Sequence, residues 1–182
     1  MSRDFLSSWG LGRIYRAWAL AAQGREAAGI SQIQEGLAAL QDTGSQLDHS
    51  EYLGVLAEAY GKDQQVEEGL GTVAEGLAFV ERTEERFCEA EVHRLKGELL
   101  LQQSPDNHQD AEACFQKAID SARQQGAKSW ELRAATSLAR LWQSQGKQTE
   151  ACDLLAPVYN WFTEGFDTAD LKDAKALLEA LS

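Results

Sequence analysis

The sequence predicts an all-α protein, organised as a superhelical solenoid of four helical hairpins followed by a C-terminal capping helix. Three observations predict this fold. The chain of 182 residues contains only 2 prolines, which leaves room for long uninterrupted helices. Its body is rich in Ala, Leu, Glu and Gln, and no segment alternates apolar and polar residues with the period of a strand. Finally, one spacing of small and apolar residues recurs every ~40 residues, the scale of helical repeats.

The recurring pattern is a small residue, an apolar residue four positions later and a second small residue three positions after that. Its occurrences are Gly29, Ile33 and Gly36; Gly69, Val73 and Gly76; Ala111, Phe115 and Ala118; and Ala151, Leu155 and Val158, where the last residue is larger than its counterparts. They start 40, 42 and 40 residues apart, and the longer step contains the connection QQSPDNHQD. A glycine inside a helix costs about 1 kcal/mol relative to alanine, so its use here indicates tight helix crossings. Gly71 lies outside the pattern and is interpreted as a tolerated, exposed glycine.

A second pattern lies on the helix that precedes each of these motifs. A small residue is followed three positions later by a bulky one. The four pairs are Ala17 and Leu20, Ala57 and Tyr60, Gly97 and Leu100, and Ala139 and Trp142. Small residues on both helices of a hairpin allow the two backbones to approach closely. The pattern therefore predicts a tight crossing in each hairpin, with the bulky residues filling the space between adjacent units.

These residues resemble the tetratricopeptide repeat, in which the second helix carries an alanine, an aromatic residue and another alanine. The segments AEACFQKAI (residues 111–119) and LARLWQSQGKQTEA (residues 138–151) carry the resemblance, which extends over residues 10–163. Two features differ from the standard repeat: about six additional residues separate successive units, and the terminal proline is absent. The resemblance implies a tetratricopeptide-like fold with longer second helices.

The chain is predicted to form a single repeat domain over residues 1–182. The hairpins are expected at residues 10–41, 47–82, 84–125 and 128–164, and the capping helix at 168–181. Turn-forming residues divide the helices; they are Gly24, Gly44, Gly61, the segment SPDN at 104–107, Gly126 and Gly146. In the last helix one face is apolar, as expected of a helix that closes a solenoid; it carries Leu171, Ala174, Leu177, Leu178 and Leu181.

A second resemblance concerns the later half of the chain. The segments AEVHRLKGELLLQ (90–102), KSWELRAATSLARLW (128–142) and WFTEGFDTADL (161–171) resemble the C-terminal repeats of large bacterial signalling proteins. In those proteins a nucleotide-cyclase-like or DNA-binding module and an ATPase module precede the repeats. The resemblance implies a regulatory scaffold that binds a protein partner. It also leaves open a second function, the sensing of a small-molecule inducer, as in activator-type ATPases.

Composition excludes several classes of function. The net charge of −12 argues against binding to nucleic acids or anionic membranes. The three cysteines, Cys88, Cys114 and Cys152, are widely spaced and odd in number, which favours a reducing compartment. No apolar run of 18 residues is present, and the segment MSRDFLSSWG lacks the apolar core of a signal peptide. A cytoplasmic protein is expected.

The sequence offers no recognisable catalytic site. His49, His93 and His108 are 44 and 15 residues apart, so no helix face pairs them as metal ligands. No glycine-rich segment continues into a phosphate-binding loop, and no close carboxylate pair stands out. The tryptophans Trp130, Trp142 and Trp161 are expected to pack between helices. We therefore expect a protein that is not an enzyme and has neither a cofactor nor a metal.

The first helices of successive hairpins are expected to line a concave groove. Counted from the small residue of each unit, the lining residues are Leu11, Ile14 and Trp18; Glu51, Gly54 and Glu58; Glu91, Arg94 and Glu98; and Arg133, Thr136 and Arg140. The lining thus runs from apolar through acidic to basic. Two interpretations remain open: a solvated face without a ligand, and a groove that binds a peptide with basic residues followed by acidic ones.

The amino-terminal end of the repeat array carries large apolar side chains that no earlier repeat covers. They include Leu6, Trp9, Leu11, Tyr15 and Trp18. An apolar end of a solenoid needs a partner surface. Either the native chain continues upstream, or two copies form a homodimer through an edge that contains Trp9, Leu11 and Tyr15. The first is favoured for the native protein and the second for the isolated chain.

Overall fold

The computed structural model describes residues 26–43 and 49–181, and every regular element in these ranges is helical. The α-helices are α1 (Glu26–Thr43), α2 (His49–Lys62), α3 (Val66–Thr83), α4 (Glu89–Gln103), α5 (His108–Gln125), α6 (Lys128–Ser144), α7 (Gln148–Tyr159) and α8 (Ala169–Leu181), with a short 3₁₀ helix at Pro105–Asn107. The predicted all-α class is confirmed for these residues. The first helix of the first predicted hairpin lies outside them.

The chain forms two compact units, Met1–Cys88 and Glu89–Ser182. Among the described helices, α1 to α3 belong to the first unit and α4 to α8 to the second. The expectation of one repeat domain over the whole chain stays a prediction. The second helices α1, α3 and α5 each have 18 residues, against 14, 15 and 17 for the first helices α2, α4 and α6. The last second helix, α7, has only 12 and contains Pro157.

The first unit has a core in which α2 packs against both α1 and α3. The core contains Ile30, Ile33, Leu37, Leu40, Tyr52, Leu53, Leu56, Ala59 and Tyr60. At its margin Gln34 Nε2 donates a hydrogen bond of 2.7 Å to Tyr60 Oη. A bulky residue of the predicted pattern is thereby buried with its polar end satisfied.

The second unit has a core centred on the pattern residues of its two hairpins. Phe115, Ala118, Ala139, Ala151 and Leu155 are completely buried. Helix α8 packs against α6 and α7 and contributes Leu171, Ala174, Leu177 and Leu181. The apolar face predicted for the last helix is therefore its buried face.

The predicted close approach of helices is observed between α4 and α5. A methyl group added to Gly97 would lie 2.5 Å from Cε1 and 2.8 Å from Cδ1 of Phe115. Only a residue without a Cβ fits there without a shift of the ring. The glycine thus lets α4 pack directly on the aromatic residue of the repeat pattern.

Three of the glycines predicted to lie in turns are among the described residues, and two of them do lie in turns. Gly126 and Gly146 adopt left-handed conformations with φ of 66° and 77°, which favour glycine. The expected turn at Gly61 is wrong, because α2 continues through Lys62. Gln64 takes the left-handed conformation there instead, with φ of 60°. Gly24 and Gly44 lie outside the described residues.

Candidate functional site

The predicted groove residues of the second unit meet where α4, α6 and α8 come together. Positions four or seven apart lie on one face of a helix. Arg94 and Glu98 therefore share a face of α4, and Arg133 and Arg140 share a face of α6. The two faces lie opposite each other. They border a cavity of about 110 Å³, here called the charged pocket. Its lining consists of Arg94, Glu98, Arg133, Thr136, Ser137, Arg140, Asp170 and Asp173. Every lining residue is polar or charged.

The inner wall of the charged pocket rests on a buried ion pair. Arg94 binds Glu91 through two contacts, Nη2 to Oε1 at 2.7 Å and Nε to Oε2 at 2.9 Å. Each of these side chains is only 11% exposed. Arg133 Nη2 lies 2.8 Å from the same Glu91 oxygen, Oε1. Two guanidinium groups therefore share one carboxylate, and the charge of Glu91 is neutralised within the protein.

Glu98 extends this network across the pocket. Arg94 Nη1 lies 3.3 Å from Glu98 Oε1, and Ser137 Oγ of α6 donates a 2.6 Å hydrogen bond to the same oxygen. Ser137 is a site residue that the sequence reasoning missed. Its signal was present, because Ser137 follows Arg133 by four residues and precedes Arg140 by three, which places it on the same face of α6.

The outer wall of the charged pocket is more open. The guanidinium of Arg140 pairs with Asp173 of α8, and these side chains are 47% and 50% exposed. Arg133 is 29% exposed, and its guanidinium carbon lies 5.5 Å from the centre of the Trp130 ring. Asp170 completes the wall. The sequence reasoning assigned α8 a capping role alone and missed Asp170 and Asp173, although their spacing of three places them on one side of that helix.

The remaining groove candidates belong to the first unit or lie outside the described residues. Glu58 forms an ion pair of 2.8 Å with Lys62, one turn later on α2. Glu51 lies in the first turn of α2 and is half-buried. A continuous groove through both units stays a prediction. Trp18 and the proposed self-association residues Trp9, Leu11 and Tyr15 lie outside the described residues.

A second cavity of the second unit, about 210 Å³, lies beside α5, α6 and α7. Its lining is Arg123, Lys128, Glu131, Asp153, Leu154, Pro157, Val158 and Trp161. The Glu131 side chain, 4% exposed, accepts hydrogen bonds from Lys128 Nζ (2.6 Å) and Arg123 Nε (2.8 Å). Burial alone would raise the pKa of Glu131, but the hydrogen bonds and charges of Lys128 and Arg123 outweigh it and hold the pKa below its usual range.

Trp161 does not pack between helices as predicted. Its side chain is 58% exposed, because α7 ends at Tyr159 and leaves Trp161 in the connection to α8. Lys128 Nζ lies 5.7 Å from the centre of its ring, within the range of a cation–π contact. Trp130 and Trp142 are both half-buried.

His49, Cys88 and Cys114 are buried in the described part of the chain. His49 lies against Phe79, with ring centres 4.9 Å apart. Burial raises the pKa of the Cys114 thiol, and the charges of Lys96 and Lys117 offset this only in part. Within residues 26–43 and 49–181, no group of three or more His, Cys, Asp or Glu residues is arranged to hold a metal ion.

No helix in the described part of the chain is both long enough and apolar enough to cross a bilayer.

Comparison with known proteins identifies the fold. No protein-family model matches the chain, and neither does any curated protein sequence. Two crystal structures of a putative kinesin light chain from Podosopora anserina, with nearly identical TPR-like repeats, are similar to it. They give TM-scores of 0.72 and 0.70 at 15% and 16% identity, over 100% and 96% of this chain and 87% and 86% of theirs. BtubC (BKLC) from P. vanneervenii gives a TM-score of 0.68 at 13% identity, over 100% of this chain and 83% of its own. The chain therefore has a TPR-like, all-helical repeat fold.

Proposed function

We propose that this chain is a non-catalytic scaffold that binds a protein or peptide partner, and that the charged pocket is part of the binding surface. The observation that carries the proposal is the placement of Arg133 and Arg140. They lie seven residues apart on α6, about two helical turns, and both border one open cavity while remaining 29% and 47% exposed. Guanidinium groups in this arrangement suit carboxylates of a partner.

The size and chemistry of the cavity favour a protein partner over a small-molecule inducer. Sites for small organic ligands occupy roughly 300–1,000 Å³ and have mainly apolar walls. The charged pocket measures about 110 Å³ and has only polar and charged walls. The cavity beside Trp161 is also smaller, at about 210 Å³. Side chains of a partner that lies across the surface fit such openings, whereas a whole inducer molecule does not.

The proposed partner carries basic residues followed by acidic ones. Its acidic part binds near Arg133 and Arg140, and its basic part lies toward Glu51, Glu58, Glu91 and Glu98. The pairing of Glu91 with Arg94 and Arg133 reduces the contribution of that carboxylate.

The proposed setting is the regulatory repeat region of a cytoplasmic bacterial signalling ATPase or nucleotide-cyclase-like protein. The support is that the segment KSWELRAATSLARLW coincides with most of α6 and supplies four lining residues of the charged pocket. A segment that carries the resemblance thus also supplies half of the residues that line the site. The coding sequence around this chain tests the setting, since an upstream ATPase module is expected.

The binding surface is tested with a double variant, Arg133→Gln with Arg140→Gln, and a matched control, Lys172→Gln with Lys175→Gln. Both remove two positive charges, but Lys172 and Lys175 lie on the exposed side of α8. Each chain is immobilised, and the proteins it captures from an extract of the source cells are quantified by mass spectrometry. A partner bound at this surface is retained by the wild type and the lysine control and lost by the arginine variant. Equal retention on all three chains would contradict the proposal.

Self-association through the amino-terminal edge is a separate proposal that rests on the sequence. Replacement of Trp9 and Tyr15 by Ser should convert a dimer of the isolated chain into a monomer, because it removes apolar surface from the edge. Sedimentation velocity measures the change. A wild-type chain that already sediments as a monomer would contradict the proposal.

A further inference from the structure

We propose that the charged pocket binds a mixed-charge segment of the partner, in which a carboxylate and a cationic side chain lie close together, and that the Arg140–Asp173 pair opens to admit it. This inference rests on the proposed scaffold function and defines the chemistry that the surface recognises. The sequence alone indicated a purely basic end of the groove. The presence of Asp170 and Asp173 in the same lining changes that expectation.

Two ion pairs at the pocket, Glu91–Arg94 and Arg140–Asp173, differ in how readily their partners can be exchanged. Glu91 and Arg94 are each 11% exposed and joined by two contacts, so their separation would break both hydrogen bonds of a buried ion pair and is costly. Arg140 and Asp173 are 47% and 50% exposed. Water screens such a pair, and it contributes little to stability. A carboxylate from a partner can therefore replace Asp173 on Arg140 at small cost, while the inner pair stays intact.

When a carboxylate of the partner replaces Asp173 on Arg140, the carboxylate of Asp173 is released inside the pocket. Asp173 then loses its guanidinium partner, and Asp170 lies three residues earlier on the same side of α8. Two carboxylates thus border the space that the incoming acidic group enters. An all-acidic segment would meet repulsion from both of them. A segment that also carries a lysine or arginine satisfies them, so selectivity for mixed charge follows.

The volume of the pocket limits what enters it. At about 110 Å³ it is well below the roughly 300–1,000 Å³ of a site for a small organic ligand. The ends of one acidic and one basic side chain fit this space, whereas a helix does not. We therefore assign the pocket to side chains of an extended segment of the partner.

The test uses three fluorescein-labelled synthetic peptides of equal length. One combines Glu and Lys with Gly, one has only Glu and Gly, and one has only Lys and Gly. Their affinities for the whole chain are measured by fluorescence anisotropy at low salt. The mixed peptide should bind most tightly, and Arg140→Gln should weaken it roughly two- to fivefold, the scale for one exposed charge pair.

The decisive variant is Asp173→Asn, with Asp167→Asn as its control. Asp167 is exposed and outside the lining of the pocket, so both variants remove one negative charge from the same region. Asp173→Asn should weaken the mixed peptide several-fold and strengthen the Glu peptide, and Asp167→Asn should do neither. The inference is overturned if Asp173→Asn leaves the ratio of these two affinities unchanged. It is equally overturned if the mixed peptide binds the wild type no better than the Glu peptide.

The outcomes separate this inference from the scaffold proposal. A partner lost by the double arginine variant but unaffected by Asp173→Asn supports the scaffold and overturns the mixed-charge selectivity. Capture that is equal on wild type and double arginine variant overturns the binding surface itself. Thermal unfolding of each variant, followed by circular dichroism, shows whether a loss of binding reflects a loss of the fold.

Discussion

Gly71 in α3 and Gly97 in α4 are both helix-interior glycines, but their surroundings are opposite. Beyond the adjacent residues and backbone of α3 itself, a methyl group added to Gly71 would meet no atom of the described residues within 4 Å, whereas one added to Gly97 would lie 2.5 Å from Phe115. Gly71 is exposed and Gly97 is buried. The repeat pattern therefore separates two kinds of glycine. It includes Gly97, where the contact with Phe115 requires glycine, and it leaves out Gly71, where no contact requires glycine.

The hairpin α2–α3 of the first unit and the hairpin α4–α5 of the second unit have different residues at the positions where their helices cross. In the first unit the equivalent positions are Ala57 and Val73, and in the second they are Gly97 and Phe115. All except Gly97 are at most 1% exposed, and Gly97 is also buried. Of these four residues, the smallest, Gly97, is thus paired with the largest, Phe115. Such complementarity of volume is expected where two helices cross closely in a densely packed core.

The largest expected effect is that of removing the aromatic ring. Phe115→Ala should lower the free energy of unfolding by about 3–5 kcal/mol, because it leaves a cavity in the core of the second unit. Urea denaturation followed by circular dichroism measures this change. Val73→Ala is the matched variant in the first unit and should have a smaller effect, since fewer buried atoms are removed. Equal losses in the two variants would contradict a central role for Phe115.

The next largest effect is expected at the contact between Gly97 and Phe115. Gly97→Ala should lower the free energy of unfolding by about 1–3 kcal/mol, because the added methyl group overpacks the crossing of α4 and α5. In a Phe115→Leu background the same substitution should be much less harmful, since the ring atoms nearest to the methyl group are gone. The double-mutant cycle gives the coupling energy. A coupling energy of zero would show that another contact requires the glycine.

The sequence predicted those features that depend on residues close together in the chain. The spacing around Gly97 and Phe115, the left-handed Gly126 and the apolar face of α8 all belong to this class. Features that arise from contacts between distant segments were missed, such as Ser137 on Glu98 and Asp173 on Arg140. Because any of several charged residues on α8 could have approached α6, sequence spacing alone could not select the pair.

Two local predictions failed for a different reason. The turn was placed at Gly61 and Trp161 was placed in the core, and both errors concern where a helix ends. Helix α2 continues through Gly61 to Lys62, and α7 ends before Trp161. Helix ends depend on tertiary packing as well as on local preference, and a shift of a few residues is enough to change a side chain from buried to exposed.

Two carboxylates, those of Glu131 and Glu58, also differ in their surroundings, and the stability that Glu131 contributes depends on pH. Glu131 is 4% exposed between two cations, whereas Glu58 is 26% exposed beside Lys62. The pKa of Glu131 is held below its usual value of 4.5, so its stabilising contribution is fully present above that value and is lost as the pH falls through the lower pKa of the folded state. Glu131→Gln should destabilise the protein by about 1–2 kcal/mol at neutral pH.

The difference between wild type and Glu131→Gln should therefore shrink on acidification to about pH 3. Urea denaturation at several pH values measures it. Glu58→Gln is the control and should change stability by less than about 1 kcal/mol at any pH, since exposed pairs contribute little. A difference that is the same at neutral and acidic pH would show that the ionised carboxylate of Glu131 is not what stabilises the fold.

The smallest expected effect has the opposite sign and completes the comparison of the glycines. Gly71→Ala should raise the free energy of unfolding by about 0.5–1 kcal/mol, because alanine favours the helix and restricts the unfolded chain, while its methyl group meets open space. Since the change lies in α3, hydrogen exchange of the amides in α3 measures it more directly than an unfolding signal from the whole chain. Those amides should exchange more slowly in the variant, and the amides of α4 should be unaffected. If Gly71→Ala destabilises α3 as Gly97→Ala destabilises α4, then Gly71 also has a packing role, such as contact with a partner, and the distinction drawn from the repeat pattern is wrong.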